Sequence, residues 1–166
     1  PEPTEPSEPR PSQPRPERPP RPEVIRIKLS DGKERSIQHM EQTLFYGPDG
    51  KPMSSSEFIQ SIFGVTPSLF EDEEHLREIW SNPETRKKLM QQLTESGFTT
   101  EHIEQAKKLI SAERSDVYDV LSYIAYATPV STREERALMA TNMLIDEFEE
   151  DEKLFLNFVL GEYVDH

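Results

Sequence analysis

Two short segments have the residue types of a metal-dependent nuclease core. Pro48-Asp49 and Asp151-Glu152-Lys153 spell P-D and D-x-K. That chemistry needs its carboxylates and lysine on adjacent strands around one metal ion. Here Gly47-Pro48-Asp49-Gly50 reads as a tight turn, and the second triplet lies in an acidic run of helical character, far along the chain. The four histidines, His39, His75, His102 and His166, are scattered. Asp72 and His75 have the i, i+3 spacing of a carboxylate–histidine ligand pair, but no second copy follows, so they read as a charged helix face. The run Asp146, Glu147, Glu149–Glu152 lacks the glycine and the alternation of a calcium loop. No cysteine is present, which excludes disulfides and thiolate catalysis. No G-x-x-x-x-G-K-[ST] phosphate cradle occurs, and no Ser/His/Asp order is defensible. The expectation is a chain without catalytic residues, metal or cofactor.

Interaction chemistry is better represented. Thr132 and Glu135 have the spacing of a capping box, in which each side chain closes the other's open backbone N–H. Arg133 and Arg136 then fall on the first turn of a helix, where the dipole disfavours cations. They lie three residues apart and share one face. Three readings remain open: plain solvation or a local pair with Glu134 or Glu135, a bond to acids within the chain such as Asp116 or Asp119, or a carboxylate surface on another subunit. Downstream, residues 146–166 hold eight acids against Lys153. Phe155, Leu156, Phe158, Val159, Leu160, Tyr163 and Val164 accompany them, more apolar surface than one helix face needs. The plainer reading is a solvated, acidic helix; the functional one is a docking surface for a basic partner. The expected interface residues are Thr132, Arg133, Glu135, Arg136, Phe155 and Tyr163.

The elements that must position them centre on Ser115–Ala137. Val117, Val120, Leu121, Ile124 and Ala125 recur at helical spacing, with Ser115 or Asp116 as cap and Pro129 as the stop. Before this helix, Ile25, Ile27 and Leu29 alternate with Arg26 and Lys28, as in a half-buried strand. Ser30-Asp31-Gly32-Lys33 is a hairpin signal. A second strand near Arg35–His39 and a third over Thr43–Tyr46 complete an expected antiparallel meander. Ser54 and Glu57 begin a helix that Gly64 is expected to end. Further helices are expected over Glu71–Ser81, from Asn82-Pro83 to Gly97, and from Thr99 or Thr100 past Ile110. Arg133–Phe148 and Lys153–Tyr163 read as two close helices or one bent one. The fold class is mainly α (α+β): a helical domain with a small N-terminal β-meander.

At 166 residues, the chain suits one domain behind a linker. It begins at Pro1 without Met and is expected to be an excised fragment. Residues 1–22 contain ten of the fifteen prolines and no large apolar residue. They read as a disordered proline-rich linker, a stiff spacer, with Pro11-Ser-Gln-Pro14 as a weaker candidate ligand motif. Residues 23–166 are enough for a core. They carry 15 Lys and Arg against 28 Asp and Glu, the whole of the net charge of −13. Such a surface repels phosphate backbones and argues against autonomous nucleic-acid binding. The absence of a long apolar run and of cysteine suits a soluble cytoplasmic protein without a membrane partner.

A resemblance adds to this reading. The order LSDGKERSIQHMEQTLFYGPDGKPMSSSEFI (Leu29–Ile59), LREIWSNPETRKKLM (Leu76–Met90), AERSDVYDVLSYIA (Ala112–Ala125), then Pro129 and S-T-R-E-E-R-A resembles the C-terminal domain of the type I restriction enzyme R subunit, the EcoEI-type branch above all. The similarity spans roughly residues 24–163; each piece is weak alone, and the common order is the signal. It implies a non-catalytic assembly domain of an ATP-dependent type I site-specific deoxyribonuclease, with the nuclease and motor domains lying upstream. The implied partners are the methyltransferase and specificity subunits, with DNA reached only indirectly through the parent enzyme. The alternative is a DNA-contacting or regulatory element that senses translocation.

Overall fold

The computed structural model describes residues 23–39 and 45–166. The proline-rich linker over residues 1–22 and the start of the third expected strand, Thr43 and Leu44, lie outside them. Among the described residues four short strands precede seven helices: β1 (Val24–Lys28), β2 (Glu34–Gln38), β3 (Phe45–Tyr46), β4 (Pro52–Met53), α1 (Ser55–Leu69), α2 (Glu73–Ser81), α3 (Pro83–Glu95), α4 (Thr100–Leu109), α5 (Val117–Tyr126), α6 (Arg133–Leu144) and α7 (Glu150–Asp165). The chain is mainly helical, as its periodicities predict.

The expected three-stranded meander is corrected to two separate hairpins. β1 pairs antiparallel with β2, and β3 pairs instead with β4. Gly50, at φ +73°, turns the second hairpin, and its N–H donates to the Gly47 carbonyl at 2.9 Å. Five residues, 47–51, join β3 to β4, and the turn is closed further by the Lys51 N–H on Asp49 and by the Gly47 N–H on the Lys51 carbonyl, at 3.1 and 3.0 Å.

The core is built around α5, which packs against α1, α2 and α4. Val120, Leu121 and Ile124 are fully buried. Around them lie Phe58, Ile59 and Ile62 of α1, Leu76 of α2, Leu89 and Leu93 of α3, and Ile103, Ala106 and Leu109 of α4. Burying such side chains supplies about 1.5–3 kcal/mol each before entropy is counted.

Local capping sets most boundaries. Ser54 and Glu57 make the predicted capping box of α1. Asn82 accepts from the Glu84 N–H, and Pro83 opens α3. Gly97 ends it at φ +95°. Gly64 does not end α1, however. The helix runs five residues further, through Pro67. Proline at 67 lacks the N–H that would reach the Phe63 carbonyl, and the Thr66 hydroxyl donates to that carbonyl instead, at 2.8 Å. With the gap mended, burial of Thr66 and Leu69 carries the helix on.

Arg35 joins the first hairpin to α5. Its register partner across the ladder is Ile27, so it points inward with Ile27 and Ile37 and has no exposed surface. The guanidinium donates to the Tyr123 and Ile124 carbonyls at 3.3 and 2.8 Å. These are carbonyls of the C-terminal turn of α5, where a cation suits the dipole.

Candidate functional site

α6 and α7 stand apart from this core. Neither contains a buried residue, and neither contributes to the hydrophobic cluster. Two helices are present, not one bent helix, joined by a five-residue connection. They pack on each other, and Tyr163, near the end of α7, lies against Arg133 at the start of α6. The pair is therefore an antiparallel helical hairpin.

The hairpin is fastened through polar chemistry. Arg133 Nε donates to Asp116 Oδ1 at 3.0 Å, and its backbone N–H donates to the Arg114 carbonyl at 2.8 Å. Arg136 Nη2 donates to Asp119. Arg114 pairs with Glu134, and the Tyr163 hydroxyl donates to Asp116 Oδ2. The guanidinium of Arg136 lies 5.2 Å from the Tyr118 ring centroid, and that of Arg133 5.9 Å from the Tyr163 ring. Both distances suit cation–π attraction.

This geometry explains two cations at a helix N-terminus. Asp116 and Asp119 belong to the start of α5, where acids suit the dipole, and Asp119 also accepts from the Asp116 N–H at 3.1 Å. The start of α6 is brought against the same carboxylates. They stabilise the N-terminal ends of both helices, and the arginines meet charges strong enough to offset their own unfavourable position. Burial opposes the charge on Arg136, but its bond to Asp119 together with the charges of Asp119 and Asp116 beside it outweighs this, and the guanidinium pKa is raised. Burial, then the Asp116 carboxylate, pushes the Tyr163 hydroxyl pKa up, so it stays a donor.

Of the six residues singled out from sequence, five make contacts within the chain. Thr132 and Glu135 form the capping box, at 2.8 and 3.1 Å. Arg133, Arg136 and Tyr163 form the clasp on Asp116 and Asp119. Of the three readings the sequence left open for the arginines, the geometry has the internal one. Phe155 is not part of the clasp: it is 69% exposed.

Phe155 belongs to a larger outward surface. Leu154, Phe158 and Val159 of α7 and Leu138, Met139 and Met143 of α6 are also exposed. A hollow along α7 is lined by Phe148, Asp151, Glu152, Phe155, Leu156 and Val159. Sequence reasoning found the surplus apolar surface of α7 but missed that of α6. Its signal was present, since Met139 and Met143 lie at i, i+4 on one helical face, with Leu138 beside them.

The segments with catalytic residue types are not assembled. Asp49 accepts the Lys51 N–H within its turn. Asp151 and Glu152 lie in the first turn of α7, and the Lys153 ammonium pairs with Glu150 at 3.2 Å. Asp72 caps α2 by accepting from the His75 N–H, and His75 Nδ1 accepts from Glu71. Among the described residues no three potential ligands converge on a metal position, and no helix is long and apolar enough to cross a membrane.

Comparison with curated proteins and with solved structures finds no match. The family model for the EcoEI R protein C-terminal region matches residues 56–166. The match covers well over half the chain and takes in all seven helices but the first residue of α1. This chain belongs to the EcoEI R protein C-terminal family, the C-terminal domain of type I restriction enzyme R subunits.

Proposed function

We propose that this domain is a non-catalytic assembly module that docks the ATP-dependent motor and nuclease of the R subunit on the methyltransferase–specificity core. One observation carries the proposal. The α6–α7 hairpin leaves six large apolar side chains more than half exposed: Leu138, Met139, Met143, Leu154, Phe155 and Phe158. Solvent exposure of so much apolar surface on one supersecondary unit favours a protein partner, and methionines adapt to a facing surface. Phe155 contacts the partner in this reading. Thr132, Arg133, Glu135, Arg136 and Tyr163 hold the hairpin in place to present it. Residues 1–22 tether the domain to the motor, and the complex works in the cytoplasm.

The strongly acidic charge favours this over direct DNA contact, which needs a basic stripe. A pulldown of the full chain with purified methyltransferase–specificity core tests the proposal. Retention of the core is expected, with no nicking of supercoiled DNA and no ATP hydrolysis by the chain alone. Failure to retain the core, at low and at physiological salt, would reject the docking role.

A further inference from the structure

We propose that the outward face of α7 receives a basic amphipathic helix of the partner, which makes its closest approach at Gly161. This rests on the docking reading above and specifies the chemistry of what docks.

Leu154, Phe158 and Gly161 lie at i, i+4 and i+7, in one line along α7. Leu154 is 70% exposed and Phe158 64%. Glycine inside a helix is destabilising, and sterics within this chain do not require it here. A Cβ added at Gly161 would meet nothing within 4 Å, and its backbone φ is not positive. What Gly161 provides is a notch in an otherwise apolar ridge, low enough for the backbone of a second helix.

Charge selects the occupant. Glu150, Asp151 and Glu152 stand at one end of the ridge, and Glu162 and Asp165 at the other. The second pair sits in the last turn of α7, where the dipole disfavours acids; no Lys or Arg shares that turn, and Glu162 faces the exposed imidazole of His166, the C-cap residue, at 3.7 Å. Asp151 and Glu162 are about 16 Å apart along the helix axis at 1.5 Å per residue. A complementary helix has three turns of apolar stripe with Lys or Arg at each end. A second copy of this chain fits badly, because residues 146–166, with eight acids and one lysine, would face their own like charges.

Calorimetric titration of the full chain with the methyltransferase–specificity core, at two salt concentrations, tests this. Gly161→Leu fills the notch. It is expected to leave the melting temperature equal or higher, since leucine is the better helix former, while weakening binding at least tenfold. Asp151→Lys combined with Glu162→Lys is expected to weaken binding by a similar factor and to flatten its salt dependence. If the core binds the unaltered chain and both variants equally, docking lies elsewhere and this proposal is overturned while the docking role stands. If the core does not bind the unaltered chain, both fail. A dimer of the chain alone that Gly161→Leu dissociates would assign the face to a second copy and overturn the basic helix.

Discussion

Asp31 accepts both ends of the Arg35 guanidinium, at 2.8 and 2.7 Å, and Arg35 makes these bonds with none of its side chain exposed. Asp31 sits in the turn between β1 and β2, and Arg35 reaches on from it to the last carbonyls of α5. One side chain thus fixes the turn, orients the hairpin and caps the central helix.

Truncating Arg35 removes all three functions. Arg35→Ala is expected to destabilise the protein by about 3–5 kcal/mol, because it leaves buried carbonyls without donors and a cavity beside Phe63. Arg35→Lys keeps the charge but loses the planar fork, and is expected to recover only part of this. Urea unfolding monitored by circular dichroism reads both.

The same pair makes stability depend on acid. The hydrogen bond from Arg35 holds the Asp31 carboxyl down from its ordinary 3.8 to about 2. A depressed folded-state value means the contribution is complete above about pH 4 and is lost as pH falls through about 2. Its size is on the order of 1 kcal/mol, since the carboxylate is partly solvated. Asp31→Asn is expected to lower stability at pH 7 and to flatten this part of the profile, which thermal melts from pH 2 to 5 would register.

The clasp is expected to be unequal. Asp119 is 3% exposed, so Arg136→Ala leaves a buried carboxylate unpaired, at a cost of about 3 kcal/mol. Asp116 is 16% exposed and keeps the Tyr163 hydroxyl, so Arg133→Ala is expected to cost about 1 kcal/mol. If chemical denaturation gave equal losses, burial of Asp119 would not be what sets the energy.

Two glycines should respond oppositely to the same substitution. Gly97→Ala places a Cβ 2.3 Å from Pro48 Cβ and 2.9 Å from Pro48 Cα, at φ +95°. It is expected to cost roughly 3 kcal/mol or more, a fall in melting temperature of about 10 °C. Gly64→Ala lies in open space inside α1 and is expected to stabilise by about 0.5–1 kcal/mol. Differential scanning calorimetry on both variants gives the two signs directly.

The sequence by itself determined what is local. Caps act over three residues, so Asn82-Pro83, Ser54 with Glu57, and Thr132 with Glu135 could be read directly as helix starts. Apolar periodicity located α5 and the core, the acidic balance argued against autonomous nucleic-acid binding, and the order of motifs pointed to the family. Only the tertiary structure decided what depends on partners distant in the chain. Arg35 read only as the start of an expected strand until the β1–β2 register turned it inward and α5 supplied its acceptors. Gly64 looked like a helix end until burial of Thr66 and Leu69, and the Thr66 hydroxyl that covers for Pro67, carried α1 past it. Arg133 and Arg136 had several possible anions in the sequence. The packing of the α6 start against the α5 start chose Asp116 and Asp119, and left Phe155 and the rest of the outer hairpin face to solvent. Propensity and capping are set by neighbours along the chain, whereas burial and ion pairing are set by neighbours in space, which a single sequence does not specify.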